Sequence, residues 1–186
     1  VYGHVGNFIR SKNHPFLLSV YREIARLDES AAFVLIGDGD LKEQMLKEAE
    51  RLGIRGQVIF TGIRHDVDAF LSAMDVLIFP SVFEGLPLTL IEAQAAGLPC
   101  LLSTAVDKGV EVTKGLVSWK SIDETPQMWA KKAIELAGGV DDVPPKARHC
   151  QREAVSEAGY DIRALAKWYE DYFETISRQH GGRTNG

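Results

Sequence analysis

The chain has 186 residues, 45% of them hydrophobic and 25% charged, and a formal net charge of −5. That length suits one substantial domain that buries roughly 70% of its unfolded surface, and the acidic balance argues against a nucleic-acid partner held by electrostatics. Cys100 and Cys150 are far apart and the five histidines follow no metal-ligand spacing, so the chain reads as reduced, cytoplasmic and metal-free. Apolar runs such as "FVLI" and "VLIF" fall far short of the ~20 residues that cross a bilayer, and no signal-peptide pattern opens the chain. Peripheral attachment at the inner face of a membrane stays open. The first residue is Val1 and "VYGHVGNFI" already reads as a strand, as expected of a piece of a longer protein.

Strand-length apolar clusters alternate with longer amphipathic segments, the signature of βαβ units and a parallel sheet. Residues 2–8 form the first expected strand, and "NHPFLLSVYREIARL" a helix capped by Asn13 or His14 with Pro15 in its first turn. "AFVLIG" follows as a strand. In "GDGDLKEQMLKEAERLG" Asp40 and Glu43 have capping-box spacing, and Gly53 ends the helix.

"QVIFTG" is the third strand, "DVDAFLSAM" a short helix and "DVLIFPS" the fourth strand. Pro87 stands where a first helical residue would, "LTLIEAQAA" continues that helix, and Gly97-Leu98-Pro99 stops it ahead of the strand "CLLS". "GLVSW" offers a sixth strand, and helices are expected near 123–138, 145–158 and 161–179. The last carries Trp168, Tyr169, Tyr172 and Phe173 at helical spacing, which reads first as a core-facing stripe, the alternative being an aromatic face left exposed and open to self-association. A single domain over 1–180 and a disordered tail over 181–186 complete the outline.

A doubly wound parallel sheet binds ligands at the carboxyl ends of its strands, which singles out the loops at 6–14, 37–40, 61–66 and 80–88. In "SVFEGLPLTLIEAQAAGLPC" Glu84 and Glu92 stand on either side of a Gly-Leu-Pro turn. Gly85 permits close backbone approach, and the amides of Gly85, Leu86 and Leu88 sit at the positive end of a helix, where an anion is stabilised by about 0.3–2 kcal/mol. An ionised carboxylate only accepts hydrogen bonds, so the two glutamates should face hydroxyl donors. A ligand with phosphate in the middle and hydroxyls at both ends is a nucleotide-linked sugar. The plainer alternative makes Glu84 a solvated loop acid and Glu92 a helix-surface residue. In "GNFIRSKNHP", Gly6 follows the first strand, and Lys12 with Arg10 brings positive charge to the next helix start; a solvated lysine beside a cap is the alternative. Gly37 and Arg64 lie in loops after the second and third strands.

Together "GHVGNFIRSKNHPFLL", "VLIGDGDLKEQM", "VIFTGIRHDV" and "AMDVLIFPSVFEGLPLTLIEAQAAGLPC" resemble the C-terminal domain of retaining, nucleotide-sugar-dependent glycosyltransferases of the two-Rossmann-domain (GT-B) type. The nearest likeness is to bacterial exopolysaccharide or capsule enzymes. The resemblance implies an α/β Rossmann-like fold, with helices on both faces of a parallel sheet, and the donor-binding half of an enzyme whose N-terminal domain lies elsewhere. It implies Glu84 on the donor sugar, the Gly85 and Leu86 amides on sugar and diphosphate, Lys12 on the diphosphate, Glu92 on the ribose, and Gly37 and Arg64 beside the base.

The donor is expected to be a UDP-sugar, the acceptor a saccharide or lipid-linked saccharide, and no cofactor or metal is required. The family places Arg directly after the glycine of the first loop, where this chain has Asn7; Arg10 is the local substitute. A nucleotide-sugar epimerase of the same architecture and a non-catalytic nucleotide-binding module are the competing readings.

Overall fold

Alternation along the strands decides the architecture, because the central ones bury both of their faces. The computed structural model describes residues 1–138 and 150–180. Strands β1 (Tyr2–Val5), β2 (Phe33–Ile36), β3 (Val58–Gly62), β4 (Val76–Phe79), β5 (Cys100–Ser103) and β6 (Val117–Lys120) form one sheet in the order 3-2-1-4-5-6. Every pairing is parallel. Helices α1 (His14–Leu27), α2 (Lys42–Arg51), α3 (Val67–Ala73), α4 (Leu88–Ala95) and α5 (Pro126–Leu136) cover the faces, and α6 (Arg152–Val155) and α7 (Ile162–His180) follow.

Phe33, Leu35, Val76 and Ile78 pack with Leu17 and Tyr21 of α1 and Trp129 of α5. The intervening Val34, Ile36, Leu77 and Phe79 pack on the opposite face with Leu71 of α3 and Leu90 of α4. This period of two with both sides apolar is what a doubly wound parallel sheet demands. The expected fold class is therefore the observed one, and "GLVSW" does supply the sixth strand. The strand order reverses between β1 and β4, so a crevice opens between the loops that leave their carboxyl ends.

Local chemistry departs from expectation at several points. β1 ends at Val5, although the Gly6 and Phe8 amides still donate to Ile36 O and Asp38 O at 2.9 Å, in register with the β1–β2 ladder, before the Ile9 amide turns back to Asn7 O at 2.8 Å. Asp40 does not cap α2. No side chain caps α2; ahead of it the Asp38 carboxylate accepts from the Gly39 amide at 2.8 Å and pairs with Lys42 at 2.7 Å, and these two contacts hold it below the usual carboxylate range. Asn13 stands at the N-cap of α1 but makes no side-chain cap bond.

The stripe on α7 is no core surface: Trp168 and Phe173 are 55% and 61% exposed, and Trp168 stacks on Tyr172 of its own helix. Of the helix expected at 145–158, residues 145–149 lie outside the described residues; the remainder forms α6 and a wide turn broken at Gly159. The tail 181–186 lies outside them too. Among the described residues, no helix is long and apolar enough to cross a membrane, and no cluster of His, Cys, Asp and Glu could hold a metal ion.

Candidate functional site

The loop after β1 tightens into a 3-10 turn at Arg10–Lys12 and enters α1 through Asn13, a non-glycine residue at φ 55° and ψ 43°. Asn and Asp tolerate this left-handed conformation better than other non-glycine residues. Here the Asn13 side chain reaches across the crevice and donates to Pro80 O at 3.2 Å. The Val82 amide returns the favour to Ser11 O at 2.8 Å. Two loops that are about seventy residues apart in sequence are thus stitched together at the switch point.

Their side chains meet there. Lys12 Nζ lies 2.7 Å from Glu84 Oε1, with side-chain exposures of only 12% and 17%, and the ammonium sits 4.6 Å above the Phe79 ring. Each charge is mostly withdrawn from water, and the partner offsets part of that cost. The Glu84 backbone is held from the far side, its carbonyl accepting from the Asp107 amide at 3.3 Å.

A cleft of about 480 Å³ opens over this pair. Gly6, Asn7 and Lys12 line one wall and Glu84 and Glu92 the other, with Gly37 and Arg64 at the end nearer β2 and β3. Leu88 and Thr89 also line it; they open α4, where their own amides have no intrahelical acceptor and the Leu90 amide is the first to be paired, with Pro87 O at 2.9 Å. Gly37 is required by backbone contact: at φ 141°, a Cβ would stand 2.1 Å from Gly6 O. Gly85 has the opposite character, since a Cβ there would meet nothing within 4 Å; its loop borders open space.

Three expected residues, Arg10, Gly85 and Leu86, lie outside the lining, and a fourth, Arg64, is already engaged. Arg10 is exposed on the 3-10 turn and is not among the residues that line the cleft, whereas Asn7 is. Leu86 is 48% exposed and, like Gly85, lies outside the lining. Arg64 lines the cleft but spends its guanidinium on a bidentate pair with Asp66, at 2.8 and 2.6 Å, over the Phe70 ring.

Two residues beneath the site escaped the reading of the sequence. His4 and His14 are fully buried, and His14 stacks on Phe8 with centroids 4.3 Å apart. Burial, then the neighbouring Lys12, pushes His14 down to about 4. Burial first, with His14 and Lys12 adding, holds His4 well below the ordinary imidazole value. Their signal in the sequence was a histidine at an inward strand position and another at a helix start, features that metal spacing alone does not weigh.

A doubly wound sheet with a polar cleft at its switch point defines a Rossmann-like domain. The chain belongs to the glycosyl transferases group 1 family, whose model matches residues 1–142. It is 34% identical over 163 residues to EpsF of Bacillus subtilis (strain 168), covering 88% of this chain and 41% of that protein. The chain thus spans less than half the length of this curated relative.

Among solved structures, the pneumococcal O-GlcNAc transferase GtfA in complex with UDP and GlcNAc superposes with a TM-score of 0.72 at 19% identity, over 94% of this chain and 35% of that one. The C-terminal domain of the glycosyl transferase group 1 family protein LpcC from Francisella tularensis matches with a TM-score of 0.66 at 19% identity, covering 87% of this chain and 86% of that domain.

Proposed function

We propose that this chain, over residues 1–180, is the donor-binding half of a glycosyltransferase that moves a sugar from a nucleoside diphosphate sugar, UDP-linked, to a saccharide or lipid-linked acceptor with retention. The observation that carries it is the convergence of Lys12, Glu84 and the start of α4 on one cleft at the switch point. A cation beside unpaired amides suits a diphosphate, and a carboxylate on the same ammonium suits hydroxyls. The family membership and a relative solved with UDP support the same assignment.

In the proposed reaction the bond from the sugar's anomeric carbon to the diphosphate oxygen breaks and the acceptor oxygen takes its place. Negative charge grows on the departing diphosphate, so Lys12 and the first-turn amides of α4 stabilise the transition state more than the ground state. Glu84 holds sugar hydroxyls and Glu92 the ribose. Catalysis between two domains leaves this chain alone able to bind UDP and to transfer little sugar.

Calorimetric titration with UDP tests the binding assignment, with Lys12→Ala expected to weaken it at least tenfold. Absence of heat from the folded chain would defeat it. Product analysis with the whole protein separates a new glycosidic bond from an epimerised free nucleotide sugar.

A further inference from the structure

Beneath the cleft lies a buried polar atom that the proposed chemistry leaves unused. His4 Nδ1 lies 2.9 Å from Ile78 O. A carbonyl only accepts, so Nδ1 carries the ring proton and Nε2 presents a lone pair. His4 is 0% exposed, and among the described residues no group donates to Nε2; a buried acceptor left in this state calls for an explanation.

Its surroundings are specific. A Cβ placed on Gly6 would stand 3.0 Å from Nε2, 3.1 Å from Lys12 Cε and 3.2 Å from Lys12 Cδ, so the imidazole and the lysine stem converge on one glycine. Both also lie against Phe79, the His4 ring at 5.1 Å and the Lys12 ammonium at 4.6 Å from its centroid. The neighbouring ring, His14, meets His4 edge to face and makes no hydrogen bond to it.

We propose that His4 is a positioning residue for Lys12: when the pair with Glu84 opens, Nε2 accepts one N–H of the ammonium from below and aims the other two into the cleft. An ammonium has three donors and no acceptor, so a lone pair beneath it and carboxylate or phosphate oxygens above it satisfy it completely. A neutral imidazole performs this task without adding a second positive charge. The inference rests on the reading of the cleft as a diphosphate site for its purpose, and not for the contact itself.

Nitrogen spectra of the histidines in the free chain test the contact directly. In Glu84→Ala, which removes the acceptor opposite Lys12 and so opens the pair without a ligand, the His4 Nε2 resonance should move away from the position of an unbonded imine nitrogen. Adding Lys12→Met should return it. An Nε2 signal that is the same in all three chains overturns the proposal.

UDP titration then tests the purpose. His4→Phe should weaken binding about tenfold in the wild-type background and less than about twofold when Lys12 is already Met, with His4→Gln restoring most of the loss. Equal losses in both backgrounds would show a merely structural histidine and overturn the positioning role. A wild-type chain that binds no UDP defeats the nucleotide reading, and the nitrogen spectra alone then decide the His4–Lys12 contact.

Discussion

The imidazoles of His4 and His14 meet edge to face in the interior, their centroids 5.0 Å apart, with Lys12 close enough to depress the protonation of both. Two buried rings beside a cation are stable only if they stay neutral, and that makes the fold sensitive to acid.

The sign follows from the direction of the shifts. In the unfolded chain an imidazole takes up its proton near 6.5, while folded His14 does so near 4. Between these values the unfolded state binds more protons, so stability is fully present above pH 6.5 and is lost as the pH falls towards 4. For His14 alone the loss is about 3 kcal/mol, and His4 adds to it in the same direction. Urea unfolding at pH 7 and pH 4.5 should show a smaller drop for His14→Phe than for the wild type; carboxylates common to both chains cancel in that comparison. Equal drops would contradict the assignment.

Glu84→Gln should change two affinities in opposite directions. UDP has no donor sugar and gains from a Lys12 released from its 2.7 Å partner, so its binding should tighten about threefold to tenfold. A UDP-sugar loses the carboxylate that would accept from its hydroxyls, and should bind more weakly than to the wild type, also by about tenfold. Calorimetry with the two ligands on one protein preparation gives both numbers, and shifts of the same sign would count against the division of roles.

Gly37→Ala should destabilise the chain by about 3 kcal/mol, because the new methyl meets backbone and not a side chain that can move aside. Gly85→Ala, where a Cβ meets nothing, should cost less than about 1 kcal/mol. Denaturant midpoints of the two variants test the contrast.

Gln94 joins α4 to the loop ahead of β6. Its amide nitrogen donates to Leu90 O and Val110 O at 2.9 and 2.6 Å, and its oxygen accepts from the amides of Val112 and Thr113 and from the Thr113 hydroxyl at 3.0–3.1 Å. Gln94→Leu keeps most of the volume and strands these groups in a buried setting. A loss of about 3 kcal/mol is expected in urea unfolding, and a loss below about 1 kcal/mol would show that the loop re-pairs elsewhere.

The sheet was legible because its central strands are apolar on both faces, and a run such as "FVLI" leaves little else for the backbone to do. Helix ends at Gly53 and Gly97 were legible for a local reason: each glycine takes a left-handed φ, 74° and 69°. What escaped was set by contacts between segments distant in sequence. Asn13 looks like a helix cap, yet its amide serves Pro80. Asp40 has capping-box spacing, but α2 has no side-chain cap bond, and Asp38 instead closes the turn at Gly39 and pairs with Lys42. The α7 aromatics have the period of a buried face and are exposed, since periodicity says which residues share a face and not what that face meets. For the site, loop positions relative to the strand ends were enough to gather Gly6, Lys12, Gly37, Arg64, Glu84 and Glu92 around one cleft. The direct meeting of Lys12 with Glu84, and the imidazoles beneath it, required the tertiary structure.

The Lys12–Glu84 pair also sets the terms on which anything enters. A bare anion that takes Lys12 must break a close, largely desolvated pair and leave the carboxylate without a partner, so inorganic phosphate gains a cation only by orphaning an acid. A molecule that brings an anion and hydroxyl groups together compensates both members at once. On the proposed reading of the site, the resting cleft would discriminate by exchange of partners, and would disfavour small anions without a side chain that blocks their path.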